Sequence, residues 1–107
     1  MEKIIKVAII RPGKGTLKAE ATSVTIPGWQ GQLGILYNRQ PLLSIMESGL
    51  ICLTDKQGKK NYFATTGGFA EVQNNVVTLL CDSLITPDSV VTDQESIKLL
   101  EKIKSHS

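Results

Sequence analysis

From position 4 to 82 the chain runs in short segments rich in Val, Ile, Thr, Phe and Tyr, interrupted by Gly, Pro, Asn and Asp. This alternation constrains the fold more than any other feature, because it suits short strands joined by tight turns in an antiparallel β-sandwich or barrel. Strands are expected near 4–10, 17–26, 32–36, 42–46, 49–54, 60–65, 69–73 and 76–82. Two hairpins are close to dictated. Asp55-Lys56-Gln57-Gly58 joins the fifth strand to the sixth and Gln73-Asn74-Asn75 joins the last two, since Asn and Gly accept the positive φ of tight hairpin turns.

The faces of the strands differ. In the segment 17–26, Thr22, Val24 and Ile26 share one face and Ser23 and Thr25 the other, so one side meets a core and the other a wetter environment. In the final strand Val76, Val77, Leu79, Leu80 and Cys81 make both faces apolar, so both need cover. One cover is the opposing sheet; the other is a helix or a second protein. An apolar patch is therefore expected on the face that includes part of the last strand. After Pro87 the period changes: Thr92-Asp93-Gln94-Glu95 reads as a capping box, followed by Ile97, Leu99, Leu100 and Ile103 on one side of a helix. At about 12 residues, or roughly 18 Å, that helix is marginal alone and is expected to lie against the sandwich. The division is a β-sandwich domain over 1–86 and a short helical C-terminal segment over 87–107.

A chain of 107 residues makes one domain with one modest core. Residues 1–53 carry six basic and three acidic side chains and the rest six and seven, for a net charge of +2. With no basic stripe, nucleic acid is disfavoured as a partner. Lys6 interrupts the apolar start and Gly13-Lys14-Gly15 follows it, so a first strand fits better than an export signal. No apolar run reaches the roughly 20 residues of a membrane helix, which leaves membrane association to partners. Cys52 and Cys81 sit in apolar strand patterns without a metal-ligand neighbour; they read as buried reduced thiols of a cytoplasmic protein, with a cross-strand disulfide or a reactive site as the alternatives.

The stretch Ile26-Pro27-Gly28-Trp29-Gln30-Gly31-Gln32-Leu33-Gly34 holds three glycines at a spacing of three, a backbone that turns tightly and presents its main chain outward. It lacks the βαβ context of a dinucleotide site, and Gly13-Lys14-Gly15-Thr16 lacks the spacing of a phosphate loop. Trp29, the only tryptophan, is either an interface anchor or folded back over the sandwich edge. Arg11 and Arg39, the only arginines, fall near strand ends, where solvated surface is the ordinary outcome. His106 is the only histidine and lies one residue from the end, with no carboxylate pair nearby, so acid–base and triad chemistry have no visible participants. The residues describe a docking protein with no catalytic, metal or cofactor site.

Several blocks in order carry a resemblance: Ala21-Thr22-Ser23-Val24-Thr25-Ile26-Pro27-Gly28, then Gly31-Gln32-Leu33-Gly34-Ile35-Leu36, Pro41-Leu42-Leu43, Gly49, Thr66-Gly67-Gly68-Phe69-Ala70-Glu71-Val72-Gln73 and Val76-Val77-Thr78-Leu79-Leu80. Over roughly residues 4–85 the chain resembles the epsilon subunit of F-type ATP synthases, the counterpart of the mitochondrial delta subunit. The resemblance implies a ten-stranded β-sandwich followed by helix, in a non-catalytic subunit of the rotor stalk of a proton- or sodium-translocating synthase. It implies a peripheral position at the cytoplasmic face of the inner (plasma) membrane, with no cofactor. Its implied partners are the gamma subunit, the c-subunit ring and, through the C-terminal helix, the catalytic beta subunit.

By position, Trp29, Gln30, Gly31 and Gln32 form the loop the family turns to the c ring, with Gln32 where relatives often carry Glu. Arg11, Arg39 and Ser44 match positions turned toward gamma. Arg39 departs from the family's usual His; a fixed planar cation there suits a carboxylate on gamma. The C-terminal part departs further, with one short helix, no Asp-x-x-Arg-Ala motif and no Arg after Arg39. The expectation is a permissive coupling subunit, since about 18 Å of helix cannot reproduce a two-helix inhibitory arm. From another class, a free-standing sandwich that binds a small ligand or peptide would use Trp29 and Tyr37 as its stacking residues.

Overall fold

The computed structural model describes residues 3–85. The helix expected over 92–103 and His106 lie outside the described residues. Ten strands follow in order: β1 (Ile5–Arg11), β2 (Gly15–Ala21), β3 (Ser23–Gly28), β4 (Gly31–Leu36), β5 (Leu42–Met46), β6 (Gly49–Thr54), β7 (Lys60–Thr65), β8 (Gly68–Gln73), β9 (Val76–Cys81) and β10 (Leu84–Ile85). They form one sheet in the order β10-β7-β6-β3-β5-β8-β9-β1-β2, with β4 paired to β3. β3 meets β5 at a single register pair, Gly28 and Met46, where the sheet curls and its two halves come to face each other.

Two expectations change. The segment 17–26 is two strands, because Thr22 ends one pairing and begins another: its N–H donates to the Thr54 carbonyl at 2.7 Å and its hydroxyl to the same oxygen at 3.2 Å. β2 pairs with β1 in one half of the sheet, β3 with β6 in the other. The sheet is also not wholly antiparallel, since β1 runs parallel to β9, with Val7 opposite Val77 and Ile9 opposite Leu79.

The two hairpins form as their residues require. Asn74 and Asn75 take φ of 53° and 62°, the left-handed pair that matches the twist of a two-residue hairpin. In the other, Oδ1 of Asp55 accepts from the N–H groups of Gln57 and Lys59, each at 2.9 Å, and folds the turn over Gly58.

Alternation places Ile5, Val7, Ile9, Val24, Ile26, Ile51, Val72, Val77 and Leu79 inside, all essentially without solvent contact. Each such side chain contributes roughly 1.5–3 kcal/mol by leaving water. Cys81 is buried and Cys52 only half-buried; the two are not joined. Burial pushes the Cys81 thiol above its ordinary value of 9.0, with a hydrogen bond involving Thr65 opposing and the Asp82 charge adding.

Candidate interaction surfaces

Pairing registers sort the surface into two ends and an outer face. One row runs Gly28, Met46, Gly68 and Cys81 across neighbouring strands, and Arg11 ends β1 one step beyond the Ile10–Leu80 pair. The Trp29-Gln30 turn, the Arg11–Gly15 turn and the Glu47-Ser48 turn therefore share one end of the sandwich. At the other end lie Tyr37, Asn38, Arg39 and the Asn74-Asn75 turn.

At the first end Trp29 is 61% exposed, so it stands out from the sandwich and does not fold back over its edge. Gly31 closes the turn at φ 115°, a conformation glycine alone adopts without strain. A recess of about 300 Å³ lies beneath it, lined by Trp29, Gln30, Gln32, Leu33, Leu42 and Ser44. A second, of about 290 Å³, is bordered by Gln32, Glu47, Ser48 and Leu50, so Gln32 sits between the two. Hydroxyls line the neighbouring turns: Ser48 donates to the Thr66 carbonyl at 2.9 Å, and the Thr66 and Ser83 hydroxyls lie 2.8 Å apart. Arg11 donates from Nη2 to the Lys14 carbonyl at 2.9 Å, while its Nε is buried without a hydrogen-bond partner.

At the second end Asn38 and Asn75 bind each other. Asn75 Oδ1 accepts from the Asn38 N–H at 2.6 Å, and Asn75 Nδ2 donates to Asn38 Oδ1 at 3.3 Å. Arg39, exposed, follows directly, with its N–H on the Leu36 carbonyl at 3.2 Å.

The residues expected to meet one partner are not brought together. Arg11 and Arg39 stand at opposite ends, roughly 20 Å apart along the strands. Ser44, half-buried, has the inward parity of Leu42 and Met46 and borders the recess under Trp29. Trp29, Gln30, Gly31 and Gln32 do form one turn. Trp29 and Tyr37 flank opposite ends of β4, again roughly 20 Å apart, so they cannot close on one ligand ring.

The outer face of β5, β8 and β9 carries an exposed apolar patch. Ile45 pairs with Phe69, Phe69 with Leu80, and Leu80 with Ile10, a continuous apolar row. Leu43 (73% exposed), Ile45, Phe69, Val76 and Leu80 (44%) all meet solvent. The patch falls on the face expected from the doubly apolar last strand. The same signal was present in Leu42-Leu43-Ser44-Ile45-Met46, apolar on both faces. Among the described residues no group of three His, Cys, Asp or Glu could hold a metal, and no helix is long and apolar enough to cross a membrane.

A small curled sandwich with an exposed apolar sheet face and a glycine-framed tryptophan turn has the makings of a protein-docking module. The family model for the ATP synthase delta/epsilon chain β-sandwich domain matches residues 4–95. The chain belongs to that family. It is 42% identical over 86 residues to the ATP synthase epsilon chain of Desulfitobacterium hafniense, covering 80% of this chain and 64% of that one. It is 30% identical over 108 residues to the epsilon chain of Pelagibacter ubique, covering all of this chain and 82% of the relative. It thus spans under two thirds of the length of the Desulfitobacterium relative. The same fold occurs in a chain of the Euglena gracilis mitochondrial ATP synthase OSCP/F1/c-ring structure, with a TM-score of 0.75, 21% identity and coverage of 98% of this chain and 66% of that one. It recurs in the Tetrahymena thermophila mitochondrial ATP synthase central stalk and c-ring structure, at 0.63, 18%, 98% and 91%.

Proposed function

We propose that this chain is the non-catalytic epsilon subunit of the central rotor stalk of a proton- or sodium-translocating F-type ATP synthase, peripheral at the cytoplasmic face of the membrane. The carrying observation is the family match over nearly the whole described sandwich, together with an exposed apolar row on one sheet face. In this reading the outer face of β5, β8 and β9, with Arg39 at its edge, holds the gamma subunit. The end that carries Trp29, Gln30, Gly31 and Gln32 rests on the c ring, with Ser44 beneath the turn. Torque passes through a sandwich stiffened by its closed core, and no bond is made or broken in this subunit. The contact with the catalytic beta subunit implied for residues 87–107 lies outside the described residues.

The test is calorimetry of the chain with its cognate gamma subunit, for wild type, Arg39→Ala and Trp29→Ala. Binding weakened by Arg39→Ala and untouched by Trp29→Ala supports the division of surfaces. Absence of binding at micromolar concentration removes the rotor assignment.

A further inference from the structure

The apolar outer face is not uniform: Glu71 lies in its middle. On β8 it stands between Phe69 and Gln73, its register partners are Leu43 and Thr78, and Ile45, Val76 and Leu80 occupy the diagonal positions. The side chain is exposed, and among the described residues no cation forms an ion pair with it. Lys18 lies in the same row, past Thr78 and Ala8, three strand spacings or about 14 Å away. Lys6 is two strands over, in register with Val76.

We propose that Glu71 selects the partner of this face by receiving an Arg or Lys of the gamma subunit, set among apolar side chains that pack on Leu43, Ile45, Phe69 and Leu80. The inference rests on the reading that gamma covers this face. Covering the face strips water from the carboxylate, and a carboxylate withdrawn from water without a cation opposes association strongly. A surface that is only apolar is therefore rejected, and one with a cation in the right place is accepted. Arg supplies the better match, because its planar fork meets both carboxylate oxygens.

The same geometry argues against other occupants. A second copy docking through this face about a two-fold axis sets the patch against itself, bringing the central carboxylates close together. On the far flank, Lys6 and Lys18 border a groove of about 460 Å³ with Ala8, Glu20 and Val76. With two lysines and one glutamate that flank is net positive, so the face carries an anion among its apolar side chains and cations to one side, and a partner with the complementary arrangement docks in one direction only.

The experiment is calorimetry of the full chain against its cognate gamma subunit at two salt concentrations, with Phe69→Ala, Glu71→Gln and Glu71→Lys. Glu71 is exposed and Gln nearly isosteric, so the variants fold, as circular dichroism will check. The expected result is affinity lowered about tenfold or more by Phe69→Ala and by Glu71→Gln, and lost with Glu71→Lys. The salt dependence of wild type should diminish in Glu71→Gln. If Phe69→Ala weakens binding but Glu71→Gln binds as tightly as wild type or tighter, gamma covers the face without a cation and this inference alone is overturned. If wild type does not bind, or Phe69→Ala has no effect, the reading beneath it falls and takes the inference with it.

Discussion

Asn38 and Asn75, 37 residues apart, exchange two hydrogen bonds while both hold left-handed backbone conformations, φ 65° and 62°. The Asn75 carbonyl also accepts the Lys6 N–H at 3.0 Å. One residue thus ties together the loop before Arg39, the β8–β9 turn and the start of β1.

Replacing Asn75 by Gly keeps the backbone conformation and removes only the side-chain bonds. Asn75→Gly is expected to destabilise the chain by about 1 kcal/mol in urea denaturation. Amide exchange at Asn38 should accelerate more than at the β6–β7 turn. Unchanged exchange at Asn38 would mean that the pair contributes nothing to holding the loop.

Gly68 sits at φ 142°, and a Cβ there would run into the Leu80 carbonyl of the neighbouring strand. Gly68→Ala is expected to cost about 3 kcal/mol, from backbone strain and the forced parting of β8 from β9. Gly34, with open space around it and no positive φ, is the control: Gly34→Ala should be neutral or stabilising by about 0.5 kcal/mol. Thermal melts of the two variants check the contrast.

The Cys81 thiol gives a pH signature. Its folded pKa lies above the ordinary 9.0 through burial, so its contribution is intact below that value and is lost as pH rises through the folded pKa. Above pH 9.0 the unfolded thiol gives up its proton while the folded one keeps it, which favours unfolding. Denaturation at pH 7 and pH 10 should show a larger loss for wild type than for Cys81→Ala. Equal losses in the two proteins would contradict a perturbed Cys81.

Trp29 is the only tryptophan and is largely in solvent. The free chain should emit at long wavelength and be quenched readily by iodide. Trp29→Ser should change stability by no more than about 0.5 kcal/mol. A blue-shifted, protected emission from the free chain would contradict the outward position of this turn.

Most strand limits were legible because local rules set them. β5, β6 and β7 begin and end where the alternation and the turns at Pro41 and Asp55 place them. The break at Thr22 was not legible: Thr continues a β-branched run, and the acceptor that ends the pairing belongs to Thr54, 32 residues further on. The parallel union of β1 with β9 likewise has no turn between its strands to announce it. At the candidate surfaces the glycines marked the Trp29 turn. Glu71 was hidden inside a run that reads equally well as one half of an ordinary amphipathic strand, Phe69-Ala70-Glu71-Val72-Gln73. Its isolation from cations appears only when β5 and β9 are laid on either side of it.

The parallel union of β1 with β9 also governs the order of events during synthesis. β1 emerges first but sits between β2 and β9. The hairpin it makes with β2 must therefore leave the ribosome with Ile5, Val7 and Ile9 uncovered and wait until residue 81 has followed. Nearly the whole sandwich is in hand before its first strand can be locked, so the sandwich closes only once β9 has cleared the ribosome.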